Sequence, residues 1–268
     1  MNWRTVPGVL LVCGVLLATP SFGQSAVPPA PRPAPVVLLP DKPELEPKAL
    51  DILKATSAKL AAARTMSFTA IATYESPART LQPLSYTVGY DVTLQRPDKL
   101  RVISPGDGPP SEFYYDGKTI TAYEPQADLA AMADAPPTID EMLKVVYQRA
   151  AVSFPFDDVI ASDPYQVFAP ELRLAFYIGQ SRLVGGTLTD MVGVANNVAQ
   201  AQIWIGVEDK LPRLYRLTYF NEPGKFRHSV EFSNWRLDPV LAAGTFSADR
   251  AQKARRIRFA APDDPAKK

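Results

Sequence analysis

The sequence predicts an α+β fold that is mostly β: one large curled antiparallel sheet of about ten or eleven strands, covered by helices on its concave side. Three observations predict it. Long runs alternate apolar and polar residues with period two. Consecutive runs are joined by tight-turn residues, which favours sequential antiparallel pairing. Helical signals are confined to two places, one before the first strand and one between two groups of strands.

A helix is expected from Pro47 to about Met66, with Pro tolerated in the first turn. Leu50, Leu53, Ala58, Leu60 and Ala61 form its apolar stripe, and Lys48, Asp51, Lys54, Lys59 and Arg64 cover the rest. Strands follow at 67–76 (Phe68, Ala70, Ala72, Tyr74 on one face), 84–96 (Tyr86, Val88, Tyr90, Val92, Leu94) and 99–104. Residues 112–115 and 118–124 flank Asp116-Gly117, a two-residue type I′ hairpin signal. Pro136-Pro137-Thr138-Ile139-Asp140-Glu141 opens a second helix, with Thr138 as N-cap and Glu141 closing a capping box, running to about Ala150. Short helical turns broken by Pro155, Pro164 and Pro170 fill the stretch to Arg173. Strands resume at 175–183, 187–194, 201–207, 211–220 and 225–235, the last two joined by Asn221-Glu222-Pro223-Gly224. Gly185-Gly186 forms another turn, and short edges are expected at 245–247 and 256–259.

Residues 1–23 read as a secretory signal peptide. Arg4 precedes an apolar run from Val9 to Ala18, and Ser21 and Gly23 are the small residues of a cleavage site. The run is too short to cross about 30 Å of hydrocarbon as a helix. Cys13 follows Val12 in the middle of the run, which is no lipobox, and no Arg pair marks twin-Arg export. Residues 24–46 read as a Pro-rich linker, extended or simply disordered. Residues 47–260 are expected to form a single domain and 261–268 a disordered tail. Cleavage removes the only Cys, and the remaining chain is long enough to build a core without disulfides. The expected location is the periplasm.

Composition narrows the chemistry. One His and one Cys leave too few ligands or nucleophile partners for the common zinc sites, Ser-His-Asp triads and Cys-His pairs. A net charge of +1 argues against nucleic acid as partner. No catalytic residue, metal or cofactor is expected. His228 alternates with Phe226, Val230 and Phe232, and reads as a hydrogen-bonded strand His before a proton shuttle. Asp157, Asp158, Asp163 and Asp190 have no calcium-loop spacing, and helix capping accounts for the first two. Lys253, Arg255, Arg256 and Arg258 read as a solvated edge, with anionic lipid as the sharper alternative and membrane contact transient at most.

Asp116-Gly117-Lys118, Pro136-Pro137-Thr138-Ile139-Asp140, Gln202-Ile203-Trp204-Ile205, Leu211-Pro212-Arg213, Tyr219, Pro223-Gly224, Trp235, Leu237-Asp238-Pro239 and Thr245-Phe246 carry a family likeness. In that order and spacing, between about Leu45 and Phe259, the chain resembles an uncharacterised bacterial family of predicted periplasmic proteins. That family is similar in fold to the lipoprotein carriers LolA and LolB. The resemblance implies a half-open barrel lined with apolar side chains, with helices as a lid and acyl chains as cargo. The chain departs from the pattern at Ser247-Ala248-Asp249-Arg250-Ala251, where a Pro-rich, Gly-containing stretch is expected, and at Thr189-Asp190-Met191, where His is more usual.

The aromatic strand faces carry the functional expectation. Tyr74, Tyr86, Tyr90, Tyr115, Tyr123, Trp204, Tyr215 and Tyr219 join Phe68, Phe113 and Phe232. As plain core they are unremarkable. Buried Tyr wants a partner for its hydroxyl, however, so many Tyr also suit an apolar surface that opens to water. The expected lining is Val88, Tyr90, Val92, Leu94, Ile120, Ile203, Ile205, Leu217, Tyr219 and Val230, with Ile103 beside them. Burying about ten methylenes at roughly 0.8 kcal/mol each gives about 8 kcal/mol, a micromolar constant before association costs. The preferred function is therefore binding or carriage of a hydrophobic ligand: a lipid, acyl chain or lipidated protein. The alternative is an envelope sensor or regulatory protein that uses the same fold on a protein partner.

Overall fold

The structure, a computed structural model, describes residues 39–79, 82–106, 109–222 and 224–261. The expected signal peptide, most of the Pro-rich stretch, Pro223 and residues 262–268 lie outside the described residues. In chain order the elements begin with β1 (Glu44–Leu45), α1 (Pro47–Ala62), β2 (Thr65–Pro77) and β3 (Pro83–Gln95). Next come β4 (Lys99–Ser104), β5 (Ser111–Tyr115), β6 (Thr119–Glu124) and β7 (Leu129–Asp134). A helical insert follows, with α2 (Ile139–Ala150), α3 (Asp157–Ile160) and α4 (Pro164–Phe168). The chain ends with β8 (Leu174–Ser181), β9 (Thr189–Ala195), β10 (Ala199–Gly206), β11 (Pro212–Tyr219), β12 (Arg227–Leu237) and β13 (Arg255–Ile257).

All the strands join one sheet, in the order β1-β8-β9-β10-β11-β12-β2-β3-β4-β5-β6-β7-β13. Two antiparallel meanders, β2 to β7 and β8 to β12, fuse where β12 returns beside β2. The sheet curls without closing, since β1 and β13 are its two edges. These edges are the only parallel pairings among the described strands, on β8 and β7 respectively. The sheet holds 13 strands, more than expected. β7, with the sequence LAAMAD, has no β-branched residue to signal a strand. β1 lies in the stretch expected to be linker, but Glu46 N–H donates to Ala175 O at 2.8 Å and Arg173 Nη2 donates to Pro40 O at 2.8 Å.

Alternation fixes the two faces. Met66, Phe68, Ala70 and Ala72 of β2 are buried opposite Leu94, Val92, Tyr90 and Val88 of β3. The intervening Thr69 and Thr73 hydrogen-bond across to Asp91 and Thr87 on the outer face. Met66 keeps this alternation, so α1 stops at Ala62 and β2 starts before the expected helix end. Thr245 and Phe246 lie in a turn and add no strand. The β5–β6 connection is not type I′, because only Gly117 has positive φ (90°). Asp116 Oδ1 instead accepts the Lys118 and Thr119 N–H groups, and a Cβ on Gly117 would meet Asp98 Oδ2 at 2.6 Å.

Helices fill part of the concave side and divide the core. Under α1, Ala49, Ile52 and Leu53 pack on Ala175, Val192, Val194, Ile203 and Ile205. Glu46 staples the start of α1 to β8 by accepting the Tyr177 N–H at 2.8 Å. Under α2, which is capped by Thr138 as expected, Met142 and Val146 join the larger cluster with Leu94, Leu100 and Ile120. Its centre is aromatic. Phe156 stacks on Phe154 at 5.6 Å and meets Phe68 and Tyr90 edge-on at 5.6 and 5.5 Å. Phe156→Ala is therefore expected to lower unfolding free energy by about 3–5 kcal/mol in urea titration. A loss under about 1 kcal/mol would show that Phe156 does not hold the insert on the sheet.

Candidate functional site

Register lines up the concave side chains in rows across the sheet. One row runs Val88, Ala72, Val230, Tyr215, Ile203, Val192 and Tyr177 from β3 to β8. The next row outward runs Tyr86, Tyr74, His228, Leu217, Ala201, Val194 and Ala175. The helical insert covers the first row at Ala72, Val230 and Ile203, all buried, and leaves the second open at its β2–β3 end. There Tyr74 is 40%, Tyr86 47% and Leu84 50% exposed, although all three point to the core side. Tyr74 and Tyr86 stack at 5.7 Å. Where the second row passes under the insert, a cavity of about 130 Å³ opens. Ala201, Ile203, Tyr215 and Leu217 form its floor, and Phe168, Leu172 and Asp158 form its roof.

The structure distributes the expected lining unevenly. Ile203 and Leu217 line the cavity. Val88, Tyr90 and Tyr219 lie along the open trough, half-buried or more exposed. Val92, Leu94, Ile120 and Val230 are packed by the protein's own side chains beneath α2 and the Phe154–Phe156 pair. Ile205 is filled over by α1 in the same way. Ile103 pairs with Asp91 and Glu112 on the outer face. Trp204, opposite Met191 and Leu214, is also outward, with Arg216 5.4 Å from its ring. Phe168 and Leu172 were not foreseen, because the Pro-broken insert has no period to place them.

Polar groups mark the trough. His228 Nε2 lies 3.2 Å from both Glu222 oxygens, and its ring meets Tyr219 edge-on at 5.2 Å. On the opposite face of the same strands, Arg227 pairs with Glu75 at 2.9 Å and holds that carboxyl below its usual range, mainly through its backbone N–H. Asp157 accepts the Phe154 N–H, and burial pushes its carboxyl up to about 7, with a smaller push from Asp158. Burial pushes Asp158 up to about 6, against the Val159 N–H that donates to it at 3.0 Å. Tyr215 is raised by burial and by Asp158, and Tyr219 by burial, Glu222 and Asp158. The other aspartates are engaged locally: Asp163 caps α4 through the Gln166 N–H and takes the Ser57 hydroxyl. Asp190 accepts from Tyr177 and Gln180. Among the described residues, no group of three or more His, Cys, Asp or Glu is arranged to hold a metal ion.

Further hollows lie elsewhere, among them one of about 450 Å³ beside Asp140, Leu143 and Val167. Another of about 340 Å³ opens beside Phe113, Val152 and Phe154, and one of about 300 Å³ lies on the outer face around Phe176 and Ile178. None of these runs on into an exposed aromatic row. Lys253, Arg255, Arg256 and Arg258 are exposed at the β13 edge. Among the described residues no helix is long and apolar enough to cross a membrane.

Fold and trough together define a half-open sheet-and-helix protein with a partly exposed apolar interior. The chain belongs to the family described as Predicted periplasmic protein (DUF2092), whose pattern matches residues 49–260, and the protein is accordingly periplasmic. No curated protein matches it. Among solved structures it is similar to an uncharacterized conserved protein from Thermus thermophilus, at 12% identity and TM-score 0.43, over 79% of this chain and 97% of that one. It is also similar to a chain of the Pseudomonas aeruginosa MucA/MucB complex, at 18% identity and TM-score 0.42, over 78% and 64%. A third likeness is to a LolA superfamily protein from Nitrosomonas europaea, at 9% identity and TM-score 0.36, over 75% and 98%.

The two raised carboxyls set a pH dependence. From about pH 4 to pH 7 the folded protein keeps protons that the unfolded chain has lost. Their contribution is therefore complete below about pH 4 and drains away as pH rises towards 7. Asp158→Asn is expected to be more stable than the parent by about 1–2 kcal/mol at pH 8, with the gap closing by pH 4. Urea unfolding across that range checks it, and a difference that does not vary with pH would contradict it.

Proposed function

We propose that this periplasmic protein binds and carries an apolar ligand, an acyl chain or lipid free or attached to a protein, in the trough between sheet and insert. The observation that carries the reading is the outer row itself. Tyr74, Tyr86 and Leu84 sit on the core side of the sheet yet face water, and they lead to the apolar cavity under Phe168 and Leu172. Soluble proteins seldom leave contiguous large apolar groups on a concave face unless something covers them. A cavity of about 130 Å³ is too small for a whole lipid, whose usual pockets are several-fold larger. It takes one end of a ligand, and the open row takes the rest. Val88, Tyr90, Ile203, Leu217 and Tyr219 are the contacts proposed here from the expected lining. Such binding is reversible and needs no bond to be made or broken.

Leu217 is the residue to change, because it lines the cavity and is only half-buried. Leu217→Glu is expected to weaken binding of the neutral fluorophore N-phenylnaphthylamine by about tenfold or more, with circular dichroism unchanged. Ile205→Glu, at a fully buried site, is expected to unfold the protein and serves as the contrast. Unchanged fluorophore affinity in a folded Leu217→Glu protein, or no binding by the parent, would overturn the reading.

A further inference from the structure

Asp158 is placed unlike any other acid among the described residues. It is the only charged side chain of those on the cavity wall, in the first turn of α3 and facing β11. Among the described residues its protein donors are backbone N–H groups of its own turn, and no cation pairs with it. The nearest titratable groups that act on or feel it are Asp157 beside it and Tyr215 and Tyr219 across the cavity, none of which supplies positive charge. Along the open row the one basic side chain, His228, is already held by Glu222. Besides the two oxygens of Asp158, the Tyr215 hydroxyl is an acceptor on the cavity wall, whereas Asn196 Oδ1 is taken by the Val198 and Ala199 N–H groups. A compact ammonium carries three donors and matches this set, whereas a carboxylate or phosphate would meet Asp158 charge to charge. The cavity volume suits a small head, and the exposed Tyr74–Tyr86 row suits the attached chain.

Resting on the carrier reading, we propose that the trough selects amphiphiles with a primary-amine head, seating the ammonium against the Asp158 carboxylate and the chain along the outer aromatic row. Anionic amphiphiles are the disfavoured class. An ion pair in a partly dehydrated pocket joins two charged groups and is stronger than the hydrogen bond that an uncharged alcohol would donate to the same carboxylate.

The test displaces N-phenylnaphthylamine with dodecylamine, dodecanol and dodecanoate, each below its micelle concentration, at about pH 7.5, where the amine and the acid are both ionised. Dodecylamine is expected to bind at least about tenfold more tightly than dodecanol, and dodecanoate more weakly than both. In Asp158→Asn, with Asp158→Ser as second variant should the amide not fold, the preference for dodecylamine over dodecanol is expected to fall from about tenfold to about one. Equal binding of amine and alcohol by the parent, tighter binding of dodecanoate, or a preference that survives both substitutions would overturn the selectivity and leave the carrier reading standing. Failure of all three amphiphiles and of the fluorophore to bind would overturn both.

Discussion

The trough exists because of a mismatch in length. β2 and β3 each run 13 residues, about 43 Å of strand. The longest helix of the insert has 12 residues, about 18 Å. The cover leaves the far ends of these strands bare, since Tyr74, Tyr86 and Leu84 stay exposed. The insert is concentrated where Phe154 and Phe156 lock it to Phe68, Phe113 and Tyr90. Beyond that lock the core-facing alternation of β2 and β3 continues through Tyr74, Tyr86 and Leu84 with nothing above it among the described residues. Packing at one end of the concave face thus defines the open apolar surface at the other.

The same geometry explains why an acid sits where stability would prefer none. Placing Asp158 against Tyr215 removes its carboxyl from water without giving it a cation among the described residues. Such a group is a standing cost unless a partner arrives. Asp157, its neighbour, has a structural occupation, since it accepts the Phe154 N–H and closes the turn that carries the aromatic lock. Asp158 receives only its own turn's N–H groups among the described residues, so its carboxyl is available to the cavity.

Much of the fold is legible in residue alternation. The faces of β2 and β3 follow directly from Phe68, Ala70, Ala72 and Val88, Tyr90, Val92, and the Thr138 cap marks the start of α2. Trp204 could be placed outward by the same rule, since it alternates with Ile203 and Ile205. What alternation does not carry is the length of the covering layer. Val92 and Val88 share a face four residues apart, yet one is packed under Phe156 and the other lies along the trough. Bulges also break the period. The register shift between Ser233 and Arg236 turns Trp235 inward with Phe232, where it stacks on Phe68 and donates to Pro212 O at 2.9 Å. β7 stayed hidden because alanines carry no strand signal, and its pairing to β6 is what places it.

The division of the core matters for how a ligand can enter. The clusters under α1 and α2 meet at Tyr215, which packs against both. The cavity lies at this junction, where neither helix supplies side chains and only the short α3–α4 region bridges the gap. Opening it displaces Phe168 and Leu172, two residues of a Pro-interrupted segment that pack at the margin of the α1 cluster, and leaves Phe156 and the larger cluster in place. The energetic demand is then that of a few contacts exchanged for ligand contacts, because the main core is not opened. A half-barrel whose two helical covers meet at such a seam, joined there by Ser57 and Asp163, can admit a chain beside it while the larger cluster stays packed.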